Sequence, residues 1–87
     1  LERKKKIKEL EQYSKQNNTT QIFIETPYRN NQMFQSLLGH LKSTTLLCVA
    51  AEITSPNEFI KTMSVAAWKN NIPELHKKPV IFLVLGV

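Results

Sequence analysis

Apolar positions along this chain recur with two different periods, and the changes of period divide it into elements. From residue 2 to 16, Ile7, Leu10 and Tyr13 stand among Lys, Glu and Gln, which predicts a helix with a thin apolar stripe that needs a partner. Asn17-Asn18 ends it. Residues 20 to 25 read as a strand with Ile22, Phe23 and Ile24 at its centre. Pro27 stops that strand and holds Thr26 extended. Residues 31 to 42 read as the clearest helix, capped by Asn30 or Asn31. Met33, Phe34, Leu37, Leu38 and Leu41 give it a broad apolar face. Gly39 weakens it by about 1 kcal/mol relative to Ala.

Residues 45 to 52 are nearly continuous in apolar character and read as a buried strand. Ser55-Pro56-Asn57-Glu58 has capping-box spacing and predicts at least one helical turn, followed by a short strand within Phe59 to Val65. Ser64 is a candidate cap for a helix running to about Asn71, with Val65, Trp68 and Ile72 facing inward. Pro73 closes that helix. Val80 to Leu85 is unbroken apolar sequence and reads as a central strand ended by Gly86. The sum is a single α/β domain: a mixed sheet of about four strands with three helices packed on it and most of the sheet covered. Strand, helix and strand in succession imply a right-handed crossover joining parallel strands. Glu25 and Glu52, which end those two strands, should then project at one edge of the sheet.

Composition narrows the class. A hydrophobic fraction of 41% and a charged fraction of 22% fit a folded globular domain rather than a disordered segment. No apolar run approaches the roughly 20 residues that span a bilayer, and the charged start, Leu1-Glu2-Arg3-Lys4, is unlike a signal peptide. The chain begins without Met, which is expected of a piece of something longer or of a processed product. One cysteine, Cys48, allows no internal disulfide and fits a reducing compartment such as the cytoplasm. Its apolar neighbours make it a buried small hydrophobe. The net charge is +5, and Arg3, Lys4, Lys5, Lys6 and Lys8 supply five of the 12 basic residues. That run is either a solvated helix face or an electrostatic handle for RNA.

Chemistry-bearing residues are few. The two glycines, Gly39 and Gly86, form no phosphate loop. His40 falls in a helix and His76 in a loop, neither with a second ligand at metal spacing. What remains is the edge set Glu25, Tyr28, Arg29, Glu52 and Thr54, at strand ends where open α/β sheets tend to bind ligands. The bland alternative is an ion pair between Glu25 and Arg29, with Glu52 solvated.

The stretch Phe23-Ile24-Glu25-Thr26-Pro27-Tyr28-Arg29 resembles the Tyr-Glu-Ser-Pro-His-Arg type motif of the S-adenosylmethionine-dependent tetrapyrrole (corrin/porphyrin) methylase superfamily. It looks closest to the branch that includes ribosomal RNA small subunit methyltransferase I. Val49-Ala50-Ala51-Glu52-Ile53-Thr54 is similar to that branch's Ala-Arg-Glu-Leu-Thr segment, and Lys78-Pro79-Val80-Ile81-Phe82-Leu83-Val84 to its closing strand. Tyr28 stands where the ribosomal enzymes tend to have His, Ala51 where they have Arg, and Lys78 at a frequent Arg.

The resemblance implies the C-terminal lobe of a two-lobed methyltransferase. The N-terminal lobe is missing, the cofactor S-adenosylmethionine lies between lobes, and the enzyme is a homodimer that methylates RNA or a tetrapyrrole-like acceptor. On that reading Glu25 and Arg29 are catalytic, with Glu25 orienting Arg29. Tyr28 and Arg29 bind substrate, Glu52 and Thr54 shape the cofactor side, and no metal is involved. The fragment alone is expected to be inactive, because half a cleft cannot enclose its ligand, and to expose an apolar patch. The competing expectation is a stand-alone basic module that binds RNA or protein.

Overall fold

A computed structural model describes residues 2–75 and 77–86. His76, read above as a loop histidine, lies outside the described residues. The elements are α1 (Glu2–Asn17), β1 (Gln21–Ile24), a single 3-10 turn (Pro27–Arg29), α2 (Asn30–His40), β2 (Leu46–Ala51), β3 (Phe59–Ser64), α3 (Val65–Trp68) and β4 (Val80–Leu85). The four strands form one sheet in the order β1-β4-β2-β3. This is the expected α/β domain of four strands and three helices.

The pairing differs from expectation in one respect. β4 inserts between β1 and β2, and every hydrogen-bonded pair in the sheet is antiparallel. β1 and β2 still point the same way, because each runs opposite to β4. The crossover through α2 therefore skips one strand position, which the last apolar segment of the chain fills.

Register fixes the two faces. Phe23, Phe82, Val49 and Lys61 lie in one row across the sheet, and Gln21, Val84, Leu47 and Met63 in another of the same face. Phe82, Val49, Leu47 and Val84 are fully buried there. Phe34 of α2 meets both the Phe82 ring, stacked at 6.3 Å, and the Trp68 ring, edge-on at 5.5 Å. Trp68 Nε1 donates to the Leu47 carbonyl at 2.7 Å, so the indole is buried with its polar atom satisfied. Ile7, Leu37, Leu38, Val65 and Leu75 complete this core.

The alternate rows carry Ile22, Leu83, Cys48 and Thr62, then Ile24, Ile81, Ala50 and Ile60. No helix among the described residues covers them, and Ile22, Ile24 and Ile60 are 59%, 69% and 55% exposed. Most of the sheet was expected to be covered by helices; among the described residues they cover one face. Cys48 is correspondingly half-buried rather than deep in a core.

α1 presents a different stripe from the one its apolar residues suggest. Ile7, Glu11 and Ser14, at i, i+4 and i+7, are buried, while Tyr13 is 53% exposed. Glu11 Oε2 accepts from the Lys42 N–H at 2.8 Å and from the Thr45 hydroxyl, and Ser14 Oγ accepts from the Gly86 N–H at 2.9 Å. Two polar side chains thus dock α1: Glu11 satisfies a main-chain N–H just after α2 and the Thr45 hydroxyl before β2, and Ser14 a main-chain N–H just after β4, donors that burial would otherwise leave unpaired.

Candidate functional site at the strand ends

β1 and β2 point the same way, so Glu25 and Glu52 emerge at the same end of the sheet, as expected. The segment entering β4 runs between them and is stitched to both sides. The Glu52 N–H donates to the Pro79 carbonyl at 2.9 Å, and the Lys77 N–H to the Pro27 carbonyl at 2.9 Å.

The two asparagines that follow Arg29 do not cap α2. Its N-cap position is Arg29, which makes no side-chain cap bond. Asn30 is instead fully buried, and its Nδ2 donates to the carbonyls of Leu75 and Lys78. Asn31 Oδ1 accepts from the Leu75 N–H at 3.2 Å, and its Nδ2 donates to Glu74 Oε1 at 3.1 Å. Both side chains clamp the 74–78 segment onto the start of α2, which aligns Pro79 and Val80 beside Glu25.

The result is a groove of about 420 Å³ on the uncovered face, lined by Ile24, Ala50 and Ile81 of the sheet, by Pro27 and Pro79, and by Ile53. Among the described residues, Glu25 is the one charged side chain that lines it. Its Oε2 meets Arg3 Nη2 at 3.4 Å, and its Oε1 accepts from the Thr26 N–H at 2.9 Å. The partner of Glu25 is therefore Arg3 of α1 and not Arg29.

Ile53 reaches the groove because the loop after β2 is held in an unusual conformation. Glu52 and Thr54 have φ of 51° and 69°. The left-handed region is uncommon for non-glycine residues and strained for a β-branched one. Glu58 Oε1 accepts from the Thr54 N–H at 2.7 Å, while Ser55 and Glu58 N–H groups close successive turns onto the Glu52 and Ser55 carbonyls. Ser55 to Glu58 therefore forms turns rather than the helical turn its capping-box spacing predicts.

The predicted site residues do not all converge. Glu25 lines the apolar groove, whereas Glu52 lines a separate hollow of about 160 Å³ with Glu74, Asn57 and Lys78. Tyr28 and Arg29 sit on the exposed 3-10 turn between β1 and α2, and Arg29 makes no ion pair among the described residues. Thr54 is exposed in the strained loop. Sequence reasoning missed Arg3, Ile53 and Pro79. The first is 22 positions from its partner, and no local pattern announces such a contact.

No group of three His, Cys, Asp or Glu side chains among the described residues is arranged to hold a metal ion. No helix among them is long and apolar enough to cross a membrane. A comparison with protein-family models finds no match for this chain, and neither does a comparison with curated protein sequences.

Proposed function

We propose that this chain is the C-terminal lobe of an S-adenosylmethionine-dependent methyltransferase of the tetrapyrrole methylase type, acting on ribosomal RNA or a tetrapyrrole-like acceptor. The observation that carries the reading is the groove at the ends of β1 and β2, which opens onto an uncovered aliphatic sheet face. A groove walled on one side is half of a cleft, and a ligand site buries most of its occupant. An N-terminal lobe of the same polypeptide is the natural second wall, and a second subunit can extend it. The isolated lobe is then inactive.

The residues suit part of such a ligand. Apolar walls with one carboxylate at the rim accept a planar heteroaromatic group that offers N–H donors to Glu25. S-adenosylmethionine, when bound, supplies the methyl group to be transferred. The chain's own contribution is alignment of the reacting partners. Arg29, exposed at the start of α2, holds an anionic group of the acceptor beside a helix N-terminus. Tyr28, on the same turn, lines the acceptor side. Thr54 and Glu52 set the loop that carries Ile53 to the groove. Glu25 fixes Arg3 and the Thr26 turn, and so acts as a positioning group. In the two-lobed enzyme, Arg29→Ala should lower turnover at least about tenfold, the loss of one charge-assisted contact, while the unfolding midpoint stays unchanged. Unchanged turnover would refute the role.

A second reading has its own support. Lys4, Lys5, Lys6 and Lys8 are all exposed on α1, and Tyr13, expected inside, lies on the solvent side of the same helix. A cationic helix with an exposed ring has the two ingredients of single-stranded RNA binding. RNA affinity falling steeply with salt, and falling again in Tyr13→Ala, supports it. No binding at low salt removes it.

A further inference from the structure

Among the described residues β3 ends the sheet and pairs only with β2, so its outer edge presents main-chain donors and acceptors to solvent. The inward-facing residues of β3 are Phe59, Lys61 and Met63. Beside them runs a groove of about 450 Å³, walled on its far side by Trp68, Asn70, Asn71, Ile72 and Pro73. α3 is only four residues long, and this is why the groove exists: the helix stops at Trp68 and leaves the β3 end of the inner face open. Phe59 meets the Trp68 ring edge-on at 6.4 Å and forms the groove's floor. Ile72, expected on the inner face of a longer helix, is 57% exposed at its rim.

We propose that this edge is a docking site for an extended peptide, which adds to β3 as a fifth strand and places alternate side chains in the groove. A free edge dictates an extended partner, since only a strand matches its spacing of donors and acceptors. The groove takes a side chain at every second position, with Met63, Trp68, Ile72 and Pro73 to meet apolar groups and Asn70 and Asn71 to meet polar ones. Lys61 dictates the charge. It lies mid-strand on the groove side, is exposed, and has no ion pair among the described residues. The peptide therefore carries an acidic residue opposite Lys61. A second copy of the chain fits poorly, because Phe59–Ser64 contains no acidic residue and the two chains, each of net charge +5, would meet Lys61 with Lys61. The lysine that keeps copies apart selects the acidic partner.

The probe is a fluorescein-labelled seven-residue peptide, Thr-Val-Thr-Glu-Thr-Val-Thr, whose glutamate and valines share one face, followed by fluorescence anisotropy. Saturable binding is expected. Exchanging the central glutamate for lysine should weaken it about fivefold to tenfold, as replacing an attractive cross-strand pair by a repulsive one does. Lys61→Glu should reverse the preference between the two peptides, and N-methylation of alternate peptide amides should abolish binding. Hydrogen exchange should slow at β3 amides and not at β1. The proposal is overturned by no saturable binding, by binding that survives N-methylation, by a preference that Lys61→Glu leaves unchanged, or by protection at β1 instead of β3.

Discussion

Arg3 Nη2 lies 3.4 Å from Glu25 Oε2, so the first turn of α1 is tied to the end of β1, at the rim of the apolar groove. The Arg3 side chain is 36% exposed and that of Glu25 19%. A pair this long and this wet contributes little to stability. A double-mutant cycle of Arg3→Ala and Glu25→Ala should give a coupling of about 0.2–1 kcal/mol by urea denaturation. A coupling near 3 kcal/mol would mean that the pair is far more desolvated than its exposure indicates.

The asparagine clamp should matter more. Asn30→Ala leaves the Leu75 and Lys78 carbonyls without their side-chain donor and opens space in a fully buried position. The expected loss is about 2–3 kcal/mol, against about 1 kcal/mol for Asn31→Ala, which leaves the part-buried Leu75 N–H without its acceptor and the exposed Glu74 without its donor. Chemical denaturation of both variants checks the order.

The two glycines should respond with opposite signs. A Cβ on Gly86 would stand 2.9 Å from the Glu11 carbonyl oxygen and 3.0 Å from Lys15 Cβ, against α1. Gly86→Ala should therefore push α1 away and cost about 1–3 kcal/mol. Around Gly39 nothing lies within 4 Å. Gly39→Ala should stabilise α2 by about 0.5–1 kcal/mol. Thermal unfolding reads both shifts.

The sheet should tolerate polarity on one face and not on the other. Ile22→Thr and Ile60→Thr, on the uncovered face, should change stability by less than about 1 kcal/mol while reducing binding of a hydrophobic dye. Phe82→Ala, beneath Phe34 on the covered face, should cost about 3–5 kcal/mol and unfold much of a domain this small.

Much of the architecture was legible, because strand and helix periods act over short windows. Ile22-Phe23-Ile24, the Leu46–Ala51 run and Val80–Leu85 each declare a strand through local pattern alone. What local pattern cannot give is which strand fills a gap. The insertion of β4 between β1 and β2 depends on contacts some 60 residues apart in sequence, such as Phe23 with Phe82. The α1 stripe was misread for a different reason. Glu11 and Ser14 are buried as acceptors for main-chain donors, and polar residues carry no periodic mark of that role. At the site, Glu25 and Glu52 were correctly assigned to one end of the sheet. They line two separate hollows, and Glu52 and Thr54 hold a positive φ that residue type does not signal at either position.

The most direct test of the methyltransferase reading is a calorimetric titration of S-adenosylhomocysteine into two proteins: this chain alone, and the protein as translated from its natural start codon. On that reading the groove beside Glu25 would supply one wall of the site, so the predicted result is saturable binding to the protein translated from its start codon and none to this chain alone. No binding to either would contradict the reading and leave the groove and the apolar face as surfaces for another partner.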